Sequence, residues 1–200
     1  MATSVKFFDE QFVRQVRRGQ YELNPFELMT RAYLTGDVLD FGCGLGNLAI
    51  AAAEDGCRVI ALDAAPTAIA HLRQVAAERG LAITAGQADL RGYRIDGCFD
   101  SVVSIGLLMF FERETAIKQL AQLKSSVRSG GIVAVNVLIE GTTFLDMFEP
   151  DAYCLFGSDE LRRAFADWDI LFESIDDFDA PKHTVKRFAT VIARRNANST

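Results

Sequence analysis

The chain has 200 residues, half of them hydrophobic, and a formal net charge of −6 at pH 7. This length and composition suit one folded domain with a sizeable core and exclude disordered and fibrous classes. Because binding to nucleic acid or to an anionic membrane usually needs a basic surface, the acidic balance argues against both and leaves a small molecule as the expected partner.

The opening segment and the cysteines bear on location. The first residues, MATSVKFFDE, carry no basic segment followed by an apolar run, so they do not predict a secretory signal. No apolar stretch reaches the roughly 20 residues that span a bilayer. The four cysteines never form a Cys-x-x-Cys pair, which favours reduced thiols over a zinc or disulfide framework. We expect a cytoplasmic protein without a bound metal; the oligomeric state stays open.

Helical and extended patterns alternate along the first two thirds of the chain. Apolar residues at helical spacing predict an amphipathic helix from Val5 to Val16, and a short helix should follow Asn24. The next predicted strands are 37–41, 58–62, 81–86, 99–105 and 132–139. The predicted helices between them are 47–54, 66–79 and a long one from about 112 to 127, which a Gly-Gly turn at 130–131 should separate from the fifth strand.

The last part of the chain has a different order. A loop at 140–157 precedes a short helix at 158–165 and two extended runs, 168–175 and 184–193. The segment between these runs is too short for a crossover helix, so they should pair antiparallel. The predicted fold is therefore α/β, with a doubly wound, mostly parallel seven-stranded sheet, helices on both faces and a C-terminal antiparallel hairpin.

A glycine-rich segment, VLDFGCGLGN at 38–47, joins the first strand to the next helix. Glycine permits positive φ and close approach of a ligand at the carboxyl end of the strand. A dinucleotide loop would have its third glycine where this chain has Asn47. Asp40 would repel a pyrophosphate but suits a cationic sulfonium, which favours S-adenosylmethionine; an NAD-dependent oxidoreductase is the rival. The predicted contacts are Asp40, Gly42, Cys43, Gly44, Gly46 and Asn47.

Two further carboxylates follow the next strands. Asp63 lies about 20 residues past the glycine loop, where such folds bind ribose hydroxyls. The alternative for Asp63 is to cap the helix that begins at Pro66. Asp89, beyond the third strand, suits an adenine amino group, and the fourth strand should open near the methyl donor. The predicted contacts here are Asp63, Ala88, Asp89, Leu90, Ser104 and Ile105.

The segments VLDFGCGLG, ALDAAP, ADL and FDSVVS resemble, in order and spacing, the motifs of class I S-adenosylmethionine-dependent methyltransferases, over about residues 37–139. The flanking FFDEQF…QYEL, SIGLLMFFERETAIKQL, SDELRRAFADWDI and KRFATVIARR resemble the tellurite-resistance (TehB-type) branch. The resemblance implies a Rossmann-like methyltransferase fold in one domain, 1–200. Its parts would be a helical cap over the cofactor (1–35), a cofactor-binding core (36–139) and a substrate-side segment (140–200). It also implies cofactor contacts from Tyr21 and Ala64.

The same resemblance implies methylation of a chalcogen oxyanion such as tellurite or selenite, with S-adenosylhomocysteine as product. A lone pair on tellurium, selenium or sulfur attacks without losing a proton, so no strong general base is needed. The branch has a His-Arg pair before the closing strand; this chain is shorter there and offers Lys182, His183 and Arg187. We expect His183 and Arg187 to hold a substrate anion. The alternatives are an organic thiol, amine or carboxylate as acceptor, or a non-catalytic cofactor-binding domain.

Overall fold

In the computed structural model, the described residues are 3–150 and 152–197, and they contain a seven-stranded sheet with flanking helices. The helices are α1 (Thr3–Arg18), α2 (Pro25–Arg31), α3 (Asn47–Glu54), α4 (Pro66–Arg79), α5 (Arg113–Ser125) and α6 (Glu160–Ala164). The strands are β1 (Asp37–Phe41), β2 (Arg58–Asp63), β3 (Ile83–Gln87), β4 (Phe99–Ile105), β5 (Val127–Leu138), β6 (Asp169–Ala180) and β7 (Thr184–Arg194). Short 3₁₀ turns lie at Leu108–Phe110 and Pro181–His183. None of the described helices is long and apolar enough to cross a membrane.

The strand order in the sheet is β3-β2-β1-β4-β5-β7-β6. Neighbouring strands among β1 to β5 are parallel, whereas β7 runs antiparallel to both β5 and β6. The chain moves outward in one direction from β1 through β2 to β3 and then returns to β4 on the other side of β1. The carboxyl ends of β1 and β4 therefore flank the switch point at which such sheets bind ligands. The predicted fold class, including the closing antiparallel hairpin, is confirmed.

The boundary between α5 and β5 differs from the prediction. We expected Val127 to continue the helix, but α5 ends at Ser125 and Val127 pairs with Phe99 as the first residue of β5. Gly130 and Gly131 lie inside β5, where the β4–β5 register shifts, so they form an irregularity in the strand and not a turn before it. A Cβ on Gly131 would lie 2.7 Å from the Asp100 carbonyl oxygen. The spacing of apolar residues did not locate this boundary, because a buried valine fits both the end of a helix and the start of a strand.

The core covers both faces of the sheet. Alternate residues of β5 point to opposite faces, so that Val133 and Val135 pack with Phe41 in one cluster while Ile132 and Ala134 belong to the other. The strands that meet at the switch point are almost completely buried along their length. This packing fixes the positions of the strand ends, and with them the loops that carry the predicted contacts.

Candidate active site

A cavity of about 470 Å³ lies at the carboxyl ends of β1, β2 and β4. Its size is within the range of small-molecule sites. One face of α1 contributes to its lining through Val5, Phe8, Gln11, Phe12 and Gln15. These positions recur every three or four residues, so a single side of the helix faces the cavity. The N-terminal helix therefore forms a wall of the site.

The glycine loop between β1 and α3 adopts a backbone that other residues would not easily take. Gly44 has φ +53°, and a Cβ there would approach the Phe12 ring of α1 to 3.3 Å. Gly46 has φ +76°, and its Cβ would lie 2.6 Å from the Leu72 methyl groups of α4. Positive φ and close packing both require glycine at these positions. The loop thus leaves its backbone bare toward the cavity while it packs closely behind.

Asp40 lies in β1 just before this loop, and its carboxyl lines the cavity. The residue is only 5% exposed. Burial raises the pKa of this carboxyl to about 8, with further increases from the negative charges of Glu27 and Asp63. Among the described residues, none donates a hydrogen bond to the Asp40 carboxylate within ordinary distance. A positive charge in the cavity would therefore stabilise its ionised form.

Asp63 ties two of the loops together. One carboxylate oxygen accepts a hydrogen bond from the Gly44 N–H at 2.9 Å, and the other accepts from the Ala65 N–H at 2.8 Å. Burial raises the pKa of Asp63, while these backbone hydrogen bonds act to lower it. Each carboxylate oxygen can accept a second hydrogen bond. The side chain is thus held in place with acceptor capacity left toward the cavity.

The start of α4 is capped from another helix. The N-cap residue of α4, Ala65, makes no side-chain cap. Asp9 of α1 supplies one instead, because its carboxylate accepts a hydrogen bond from the Thr67 N–H at 2.9 Å. Asp63 and Asp9 thus both accept hydrogen bonds at the start of α4, from Ala65 and Thr67, and the Asp9 contact also holds α1 beside the cavity.

Two acidic residues that were not predicted also line the cavity, Glu22 before α2 and Glu27 in its first turn. Asn24 and Glu27 form a reciprocal capping box in which the Asn24 side chain accepts from the Glu27 N–H at 3.0 Å and the Glu27 side chain accepts from the Asn24 N–H at 2.8 Å. An N-cap residue followed three positions later by Glu is a recognisable sequence signal for this arrangement. The box orients Glu27 beside Asp40, whose pKa it raises.

The cavity is strongly acidic. Seven carboxylates line it, namely Glu22, Glu27, Asp40, Asp63, Asp89, Glu112 and Glu149. Among the described residues of the lining, Arg91 is the one basic side chain, and it is bound to Asp89 through two guanidinium nitrogens at 2.9 and 2.6 Å. Such a surface attracts cationic groups and repels anions.

Most of the predicted contacts meet in this cavity. Those that line it are Asp40, Gly42, Cys43, Gly44, Asn47, Asp63, Ala64, Asp89, Leu90 and Ile105. Gly46, Ala88 and Ser104 are next to lining residues in the chain but do not line the cavity themselves. Phe110 and Phe111 also line the cavity.

Tyr21 does not lie in the cavity lining. Its ring stacks on His71 of α4 at 4.8 Å, and its hydroxyl donates a hydrogen bond to the Val16 carbonyl oxygen at 3.1 Å. The side chain is 41% exposed. Tyr21 therefore joins the end of α1 to the outer surface of α4 in this structure.

The predicted anion-binding group also lies outside the lining. His183 and Lys182 form the β6–β7 turn with positive φ, and Lys182 is paired with Asp146 at 2.8 Å. Arg187 stands opposite Asp177 in the β6–β7 register and is paired with it at 3.2 Å. Lys182 and Arg187 are thus bound to carboxylates of the neighbouring loop and of the hairpin. The structure does not bring them together with the glycine loop.

Comparison with known proteins finds similarity to methyltransferases. A methyltransferase domain family matches residues 38–131. The probable S-adenosyl-L-methionine-dependent methyltransferase TehB of Haemophilus influenzae is 26% identical over 165 residues, which cover 79% of this chain and 57% of TehB. A 2-heptyl-1-hydroxyquinolin-4(1H)-one methyltransferase of Mycobacteroides abscessus is 40% identical over 87 residues, which cover 42% of this chain and 38% of that protein.

Solved structures agree on the fold. The crystal structure of TehB from Haemophilus influenzae superimposes with a TM-score of 0.77 at 21% identity, covering 91% of this chain and 65% of TehB. The N-methyltransferase NodS of Bradyrhizobium japonicum, solved with S-adenosyl-L-homocysteine, gives a TM-score of 0.70 at 14% identity and covers 97% and 99% of the two chains. The chain spans less than two thirds of the length of the curated relatives it matches. Residues 38–131 match the methyltransferase domain family, and the chain is similar to S-adenosylmethionine-dependent methyltransferases over most of its length.

Proposed function

We propose that the chain binds S-adenosylmethionine in the acidic cavity and transfers its methyl group to a small acceptor, leaving S-adenosylhomocysteine. The observation that carries this proposal is the buried Asp40 carboxyl at the end of β1, which lines the cavity and receives no hydrogen bond from a described residue. A ligand with a positive charge would supply the missing partner. A dinucleotide would bring a pyrophosphate against the same carboxylate.

The residues present fit such a cofactor. Asp40 and Glu27 would attract its cationic end, and the bare backbone at Gly44 allows close approach. Asp63 would accept from the ribose hydroxyls beside Ala64, and Asp89 with Leu90 would meet the adenine. Bound there, the cofactor would supply a methyl group already activated by the sulfonium.

The chain's own contribution to catalysis is alignment and exclusion of water. The cavity lies between the strand ends and α1, so the aromatic residues of α1 would cover a bound ligand. Holding two reactants in a productive geometry can contribute about 7–11 kcal/mol to lowering the barrier. A non-catalytic cofactor-binding domain would share the binding residues but show no turnover.

The acceptor has two candidate classes. The resemblance to the tellurite-resistance branch proposes a chalcogen oxyanion, with His183 and Arg187 as the anion-binding groups. An organic metabolite is the second candidate, and the observation that favours it is the acidic cavity with its paired Arg91. The Mycobacteroides abscessus relative is named for an organic, quinolone-type acceptor.

Titration calorimetry with S-adenosylhomocysteine tests the binding half of the proposal. We expect saturable binding to the unmodified chain and to Asp169→Asn, an exposed control far from the lining, and much weaker binding to Asp40→Asn. NADH should not compete. Incubation with methyl-labelled cofactor and an acceptor panel tests turnover. Failure to bind S-adenosylhomocysteine, or tighter binding of NADH, would refute the proposal.

A further inference from the structure

Four aromatic rings contact one another in a row, and the first two of them lie in the cavity wall. Phe8 of α1 packs edge-on against Phe110 with the ring centroids 5.0 Å apart, and Phe110 meets Phe148 at 5.0 Å. Phe148 in turn stacks on Tyr153 at 4.5 Å. Phe8 and Phe110 line the cavity directly. Such a wall suits an apolar or aromatic body, and the electron-rich ring faces also attract cations.

A carboxylate lies at the edge of this aromatic row. Glu149 follows Phe148 in the chain, lines the cavity and is partly buried. None of the described basic residues forms an ion pair with it. The pKa of Arg91 is raised mainly by its hydrogen bond to Asp89, and the Glu149 charge makes a smaller contribution, which places Glu149 near that pair. Glu149 is thus an unpaired anion beside an apolar wall.

The same region offers little to an anionic acceptor. The guanidinium of Arg91 is already bound to Asp89 through two nitrogens. An oxyanion would have to enter a cavity lined by seven acidic residues, of which Asp40 is mainly protonated at pH 7 through its raised pKa, without a free cation among the described lining residues. Like charges at close range in a partly buried site are strongly unfavourable. The negative charge of the cavity lining therefore favours a cationic acceptor over an anionic one.

Resting on the proposed function, we propose that the acceptor is an amine with an apolar or aromatic body, and that Phe8, Phe110 and Glu149 are its specificity-determining residues. An acceptor that enters as the ammonium is held by ion pairing with the Glu149 carboxylate and releases one proton to solvent before it reacts. Its nitrogen lone pair then forms the new bond to the methyl carbon, while the methyl–sulfur bond breaks and its electron pair remains on sulfur. The positive charge thus passes from sulfur to nitrogen.

A matched pair of probes tests this inference. 2-Phenylethylammonium and 3-phenylpropionate share the same phenylethyl body and carry opposite charges. Each is titrated into protein saturated with S-adenosylhomocysteine, with selenite as a third probe. We expect the ammonium probe to bind at least tenfold more tightly than the carboxylate probe. Glu149→Gln should reduce that preference about tenfold, whereas Glu140→Gln, an exposed residue outside the lining, should leave it unchanged.

The outcomes separate the two proposals. Absence of S-adenosylhomocysteine binding would refute the proposed function and the inference together. Three results obtained with normal cofactor binding would overturn the amine inference alone. They are no measurable binding of the ammonium probe, equal or tighter binding of 3-phenylpropionate or selenite, and an unchanged preference in Glu149→Gln. Transfer of label from the cofactor to selenium, giving volatile methylated products, would also overturn it.

Discussion

Replacing Asp40 by asparagine should change the free energy of unfolding, relative to the unmodified chain, more favourably at neutral pH than at acid pH. The folded carboxyl has a pKa of about 8, whereas an unfolded chain has a value near 3.9. Because the folded value is the higher one, the stability contribution of the protonated carboxyl is complete below about pH 4 and is lost as the pH rises toward 8. An asparagine has no such titration. Between pH 4 and pH 7, the stability of Asp40→Asn relative to the unmodified chain should rise by roughly 2–4 kcal/mol.

The same substitution should weaken cofactor binding. Two unit charges about 4 Å apart attract by roughly 4 kcal/mol at an effective dielectric constant near 20. Ionising a carboxyl with a pKa one unit above the working pH of 7 offsets about 1.4 kcal/mol of this. The remaining 2–3 kcal/mol corresponds to binding of S-adenosylhomocysteine that is about 30- to 150-fold weaker.

Urea unfolding at several pH values measures the first effect, and calorimetry measures the second. Comparing the change between two pH values cancels any constant difference in packing between the carboxyl and the amide. Asp169→Asn should show neither effect because Asp169 is exposed and outside the cavity. A pH dependence in Asp40→Asn identical to that of the unmodified chain, or unchanged cofactor affinity, would refute the reasoning.

Three further results are expected. Cofactor affinity should increase between pH 6 and pH 8, with up to one proton released per site, because a cation lowers the raised pKa of Asp40; calorimetry in buffers of different ionisation enthalpy would detect the proton. Gly46→Ala should lower stability by roughly 2–4 kcal/mol through positive φ and a clash, whereas Gly56→Ala, with similar φ but open space around it, should lose only about 1 kcal/mol in urea unfolding. Asp9→Ala should lose about 0.5–2 kcal/mol of stability and release S-adenosylhomocysteine faster in stopped-flow displacement, and Glu10→Gln should do neither.

The elements and the binding loop were predictable because their signals are local. The bounds of β1, α3, α4 and β4 agree with the pattern of apolar residues, proline and glycine. The carboxyl ends of parallel strands meet at one edge, so residues placed at strand ends had to come together. For that reason Asp40, Asp63 and Asp89 could be assigned to one cavity from the sequence.

Contacts between distant segments were not predictable in the same way. No local pattern in α1 indicates that Asp9 caps α4, because this depends on where the helix docks. Glu149 lies in a loop whose path is set by packing of the Phe148 ring against Phe110. The local sequence indicates no ion-pair partner for Arg187, yet the antiparallel register places it opposite Asp177. In each case tertiary geometry decides which partner a side chain meets.

A crystal structure of the chain with S-adenosylhomocysteine would test the central claim most directly. We expect the ligand in the cavity between the glycine loop and α1, with its amino group within hydrogen-bonding distance of Asp40 or Glu27, its ribose at Asp63 and its adenine beside Leu90. A ligand bound elsewhere, or bound with Asp40 still without a partner, would contradict the account.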